Sequence, residues 1–142
     1  MSTSDENWAW QCDQVIPNDL AVGRQVLDDL LAHLEALRWS RHEVFSVHLA
    51  VDEALANAQR HGNHKDPAKH IHICCGASPR RVRVEITDEG RGFDPDQLPD
   101  PTDSAHLLRP CGRGVMLMRA FMSRVEFLDG GSHVLLEKEL GS

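Results

Sequence analysis

Glu53 and Asn57, in the stretch Val51-Asp52-Glu53-Ala54-Leu55-Ala56-Asn57-Ala58-Gln59-Arg60-His61-Gly62-Asn63, stand one helical turn apart. A carboxylate can orient or deprotonate a hydroxyl or a water. A carboxamide oxygen can ligate a hard cation such as Mg²⁺, which takes one or two protein ligands beside waters and phosphate oxygens. Taken alone, the pair is more simply a surface hydrogen-bonded couple. A second constellation is Asp88-Glu89-Gly90-Arg91-Gly92-Phe93-Asp94. Asp88 can accept from an exocyclic amine of a purine, and the glycines allow close backbone approach to a flat ring or a phosphate; the bland alternative is a turn with a capping aspartate. The third is Gly112-Arg113-Gly114, expected to open a helix whose free N–H groups favour an anion.

The elements that must position these groups can be traced along the chain. Trp8 to Ile16 reads as a strand ended by Pro17, and Asn18 is expected to cap a helix carrying Leu20, Leu27, Leu30, Leu31, Leu34 and Leu37 at helical spacing. Ser40-Arg41-His42-Glu43 fits a capping box opening a second helix. Its apolar stripe is Val44, Val47, Val51, Leu55 and Ala58, with Glu53 and Asn57 roughly opposite and Gly62 and Asn63 as its end. His70 to Cys75 and Arg81 to Asp88 alternate as strands. Asp88 falls in phase with the apolar row of Val82, Val84 and Ile86, where a carboxylate is costly unless something pairs with it. A stretch holding Pro95, Pro99, Pro101 and Pro110 follows, long enough to be a lid, about residues 93–111. Val115, Met118, Phe121 and Met122 then mark one side of a helix. Val125 to Leu128 and His133 to Glu139 form a closing hairpin. The methionines at 116, 118 and 122 with Phe121 read as core more than interface, and His48 as a satisfied core or boundary histidine. The tryptophans at 8, 10 and 39 read as packing residues, though the first strand and helix could also meet a second subunit. The expected fold is α+β, a two-layer sandwich of a mixed, mostly antiparallel sheet with helices on one face.

At 142 residues, 41% hydrophobic and 26% charged, the chain is expected to form one domain spanning 1–142. A net charge of -7 argues against nucleic-acid binding, and Arg80, Arg81 and Arg83 are expected on a solvated strand face. The chain has neither a long apolar run nor a signal-like start, so a cytoplasmic location is expected. The four cysteines show no disulfide or CxxC spacing and are expected to be reduced. His70, His72 and Cys74 alternate along one strand and could chelate zinc, with His61 and His64 shortly before. A solvated face is the simpler reading.

Together the three constellations are more specific than any one. ExxxN on a helix, DxGxG after a strand, a proline-rich lid and GxG at a helix start resemble the N, G1 and G2 boxes of the GHKL ATPase superfamily. Within it, Asp52-Glu53-Ala54-Leu55-Ala56-Asn57 and Arg109-Pro110-Cys111-Gly112-Arg113-Gly114 are most similar to anti-sigma-factor serine/threonine kinases of the RsbW and SpoIIAB type. Pro110 and Cys111 depart from that pattern. The resemblance implies the nucleotide-binding (Bergerat-type) version of the sandwich, with ATP and Mg²⁺ as cofactors. It implies Glu53 as general base on a serine or threonine of an anti-anti-sigma (STAS-domain) protein, Asn57 as Mg²⁺ ligand and Asp88 as adenine acceptor. It implies Gly90 and Gly92 shaping the nucleotide pocket, Gly112, Arg113 and Gly114 at the phosphates, and Arg109 facing the γ-phosphate or the partner. A sigma factor as second partner and a homodimer follow from the same resemblance. A non-catalytic ATP-binding module and a histidine-kinase-like catalytic domain are the alternatives.

Overall fold

The computed structural model describes residues 8–90 and 110–140. Strand β1 (Trp10–Pro17) leads into helix α1 (Leu20–Ala36) and helix α2 (Arg41–Asn57). Strands β2 (His70–Ala77) and β3 (Arg81–Thr87) follow, then helix α3 (Pro110–Phe121) and strands β4 (Arg124–Leu128) and β5 (His133–Glu139). The five strands lie in the order β1-β2-β3-β5-β4, and every neighbouring pair is antiparallel. The expected parallel component is therefore absent among the described residues. The rest of the expected architecture holds, an α+β sheet covered by helices on one face.

Strand β3 shows why the sheet has two unlike faces. Val82, Val84 and Ile86 are fully buried while Arg81, Arg83, Glu85 and Thr87 point the other way. The buried row meets Ile71 and Ile73 of β2, Leu136 of β5, and the helix residues Leu30, Leu34, Val47, Leu55 and Met118. Each such side chain contributes about 1.5–3 kcal/mol on burial. Met118 and Met122 join this core, but Met116 is 69% exposed and His48 lies on the exposed side of α2. Pro17 is tolerated because β1 is an edge strand.

Several local expectations are corrected. Asp19, not Asn18, caps α1 by accepting from the Ala21 N–H at 2.9 Å. Asn18 turns inward, 8% exposed, and donates to the Asp66 carbonyl. Ser40 caps α2 as expected, accepting from the Glu43 N–H at 3.2 Å. That helix does not run evenly into Gly62: after Asn57 it widens into a π-turn, Ala58–Gly62, a distortion common beside functional sites. Helix α3 opens at Pro110, two residues before Gly112, since proline's missing N–H costs nothing in a first turn. The rest of the expected lid, residues 93–109, lies outside the described residues.

The sheet's other face is not simply solvated. Arg81 and Arg83 converge on Glu137, at 3.0 and 2.9 Å, and Glu137 is only 7% exposed. The Trp8 ring covers part of this cluster, with both guanidinium carbons about 6 Å from its centroid. Gly76 makes room for it, since a Cβ there would stand 2.6 Å from the ring. Among the described residues no helix is long and apolar enough to cross a membrane.

Candidate functional site

Helix α2 aims Glu53 and Asn57 at α3. A Cβ placed on Gly114 would lie 2.8 Å from Asn57 Nδ2 and 3.0 Å from Glu53 Oε2, so the carboxylate and the carboxamide sit side by side over the Gly114 backbone. The small residue gives the two polar ends space that any larger one would fill. Asn57 Nδ2 is buried without a hydrogen-bond partner among the described residues. An unpaired buried amide is costly and calls for an explanation. A rotating carboxamide can present Oδ1 to a hard cation or Nδ2 to a phosphate oxygen. The orphaned amide, the carboxylate beside it and the first-turn N–H groups of α3 therefore fit a metal-bound polyphosphate. Gly112 and Arg113 belong to the opening of that helix.

Two alanines of α2 and the first residue of the π-turn pack inward beside the pair. Ala50, Ala54 and Ala58 are 0, 2 and 5% exposed and belong to the core. They follow one another at i, i+4 spacing, adjacent to the row that carries Glu53 and Asn57.

The second cluster forms where β3 ends. The Asp88 N–H donates to the Ser132 carbonyl at 2.8 Å, and Asp88 Oδ1 accepts from the Gly90 N–H at 2.8 Å. Gly62 lies against that carboxylate: a Cβ on Gly62 would overlap it, and one on Gly90 would overlap the Gly62 carbonyl. Gly90 thus serves a backbone-to-backbone contact inside the protein as well as any approach to a ligand. Burial pushes the Asp88 carboxyl above the usual aspartate range, partly offset by the Gly90 N–H. Half-buried and holding acceptor capacity beyond one bond, it suits an amine donor such as an aminopurine. Asn57 and Gly62 are five residues apart, so the two clusters are separated by roughly 7 Å along the helix axis.

A residue that pattern reading treated only as a helix end joins the pieces. Asn63 is fully buried. Its Nδ2 donates to Asn18 Oδ1 at 3.1 Å and to the His70 carbonyl at 2.9 Å, while its Oδ1 accepts from the Glu89 N–H at 2.7 Å. Asn63 therefore ties the end of α2 to the start of β2, the exit of β3 and the entry to α1. Gly62 and Asn63 were visible only as a Gly-Asn pair, a stop signal that also fits an ordinary helix terminus. Gly92 and Arg109 lie outside the described residues.

With this geometry in hand, the comparisons with known proteins are specific. The family described as "Histidine kinase-like ATPase domain" matches residues 16–138. The chain is 32% identical over 126 residues to the serine/threonine-protein kinase BtrW of Bordetella bronchiseptica, covering 83% of this chain and 89% of the relative. It is 32% identical over 89 residues to the serine-protein kinase RsbW of Bacillus subtilis, 58% of this chain and 56% of the relative. It is 29% identical over 104 residues to the anti-sigma F factor of Clostridium acetobutylicum, 68% and 71% of the two chains. The matched span contains both clusters, Glu53 and Asn57 against Gly114 and Asp88 against Gly62 and Gly90: the chain belongs to the histidine kinase-like ATPase domain family.

Proposed function

We propose that this chain is an ATP-dependent protein serine/threonine kinase that acts as an anti-sigma factor and phosphorylates an anti-anti-sigma (STAS-domain) protein. The observation that carries the reading is the Glu53 carboxylate beside an unpaired Asn57 amide, both over Gly114. The names of the relatives, protein kinases and anti-sigma factors alike, support it. In this reading the chain works in the cytoplasm as a homodimer, folds as one domain, and binds a sigma factor as its second partner.

Bound here, Mg-ATP would supply the phosphoryl group, with the cation neutralising charge on the phosphates. Asn57 holds the cation. Gly112, in the first turn of α3, would offer its N–H to a phosphate oxygen where the helix dipole favours negative charge, while Arg113 and Gly114 line the same phosphates. Asp88 accepts from the base amine, in a pocket shaped by Gly90 and Gly92. The family resemblance assigns Arg109 to the terminal phosphate or the partner protein. Glu53 accepts the proton of the incoming serine or threonine hydroxyl at its carboxylate. Phosphoryl transfer demands mainly positioning and charge stabilisation, so this small set of groups is sufficient.

The test is incubation with labelled ATP, Mg²⁺ and a STAS-domain partner encoded beside this chain. Phosphate on a partner serine or threonine is expected. ATP binding without transfer would leave a non-catalytic module, and phosphate on a histidine of this chain would point to histidine-kinase chemistry.

A further inference from the structure

On the sheet face away from the helices, β1 and β2 bring together three side chains that the nucleotide site does not use. Antiparallel pairing sets Asp13 directly opposite Cys74, and His72 lies two residues along on the same face. Asp13 Oδ1 is 2.6 Å from His72 Nε2, and His72 Nε2 is 3.4 Å from Cys74 Sγ. One donor atom from each lies within 4.8 Å of the others. We propose that Asp13, His72 and Cys74 form a zinc site with one open coordination position.

The spacing is close to what such an ion needs. Zinc bonds of about 2.0–2.3 Å in a tetrahedron separate neighbouring ligand atoms by roughly 3.3–3.8 Å. The His72–Cys74 separation already meets this, and the Asp13–His72 contact has only to open by less than about 1 Å. One sulfur, one imidazole nitrogen and one carboxylate oxygen form a mixed set that suits zinc and not the all-oxygen preference of Mg²⁺. Glu85, the register partner of Cys74, adds a second carboxylate to the neighbourhood, held by His133 Nε2 at 2.9 Å. Asp13 is exposed while His72 and Cys74 are half-buried. Asp13 and Cys74 border a hollow that Trp8, Gln11 and Arg83 also line, with room for a water to complete the set. On binding, the Cys74 thiol enters as thiolate and its proton passes to solvent; His72 coordinates through Nε2 with its proton on Nδ1.

His70 takes no part. Although it shares the alternation of His72 and Cys74, its ring stands by Glu89 at 3.4 Å. The third ligand comes from the neighbouring strand.

The experiment uses full-length protein without a histidine tag, stripped with chelator and titrated with Co²⁺, then Zn²⁺. A thiolate-to-cobalt charge-transfer band that saturates at one equivalent and is displaced by zinc is expected. Cys74→Ser should abolish the band. His72→Ala and Asp13→Asn should weaken binding by about tenfold or more. Cys75→Ser, buried on the opposite face, should leave the band intact. Circular dichroism of each variant separates loss of the site from loss of the fold, and a zinc-dependent rise in Tm, absent in folded His72→Ala, gives a second reading. No band in the wild type, or a band that persists in Cys74→Ser, overturns the proposal.

Discussion

Gly114→Ala separates the chemistry of the site from the stability of the fold. In a helix interior, glycine to alanine favours folding by about 1 kcal/mol. The added Cβ, however, would stand 2.8 Å from Asn57 Nδ2 and 3.0 Å from Glu53 Oε2. Both side-chain ends must give way by roughly 0.5 Å to reach ordinary van der Waals contact. Those atoms are the tips of flexible side chains, so the fold yields at little cost and net stability should change by less than about 1 kcal/mol. In the proposed chemistry these two groups tolerate such displacement poorly, since a misplacement of about 1 Å can cost about 100-fold in rate. A fall of about 30- to 100-fold in phosphate transfer is expected, equivalent to about 2–2.7 kcal/mol of barrier. Urea denaturation measures the first quantity, and single-turnover transfer to the proposed STAS-domain partner at saturating ATP the second. A variant that transfers phosphate within twofold of wild type would refute the placement of Glu53 and Asn57 against α3. So would a variant that loses several kcal/mol of stability.

Three further variants test the same geometry. Glu53→Gln should keep ATP affinity, measured by calorimetry, while transfer falls by about 100- to 10,000-fold, the usual contribution of a general base. Asp88→Asn should weaken nucleotide binding by about 10- to 100-fold through loss of an acceptor in a half-buried site. The same variant should raise the Tm of the nucleotide-free protein at neutral pH. The Asp88 carboxyl is held above its ordinary 3.8 by burial, so its contribution to folding is fully present below 3.8 and is lost as pH rises through the raised value. The gain in Tm should therefore fade as pH falls towards about 4; a constant gain would mean the effect is not electrostatic. Asn63→Ala removes the side-chain hydrogen bonds that join Asn18, His70 and Glu89, and should cost about 3 kcal/mol in urea midpoint analysis.

Much of this molecule was legible because local periodicity carries long-range information where one face is buried. The alternation of Val82, Val84 and Ile86 marks β3 and puts Asp88 in phase with its buried row. Ser40 and Glu43 mark the start of α2 by hydrogen-bonding chemistry confined to four residues. What stayed hidden depends on pairings between distant segments. Nothing in the closing hairpin shows that β5, not β4, lies beside β3. Asp13 is an ordinary edge-strand carboxylate until the β1–β2 register sets it beside His72 and Cys74. Asn18 and Asn63 look like a cap and a stop because asparagine commonly fills both roles, and only burial reveals that they bond to each other. Arg81 and Arg83 read as solvated until Glu137 arrives from 56 and 54 residues later in the chain.

The contact between Gly62 and Gly90 makes variation beside Asp88, the proposed base end, one-sided. At most positions a protein can explore both larger and smaller side chains, so a pocket can expand or contract by small steps. Here the wall consists of main chain touching main chain beside Asp88, and glycine already has nothing left to remove. Every substitution at these two positions adds atoms to a space that has no room for them. A lineage that reshapes this end of the molecule must therefore do so by replacing Asp88 or rebuilding the backbone, a larger jump than trimming a side chain.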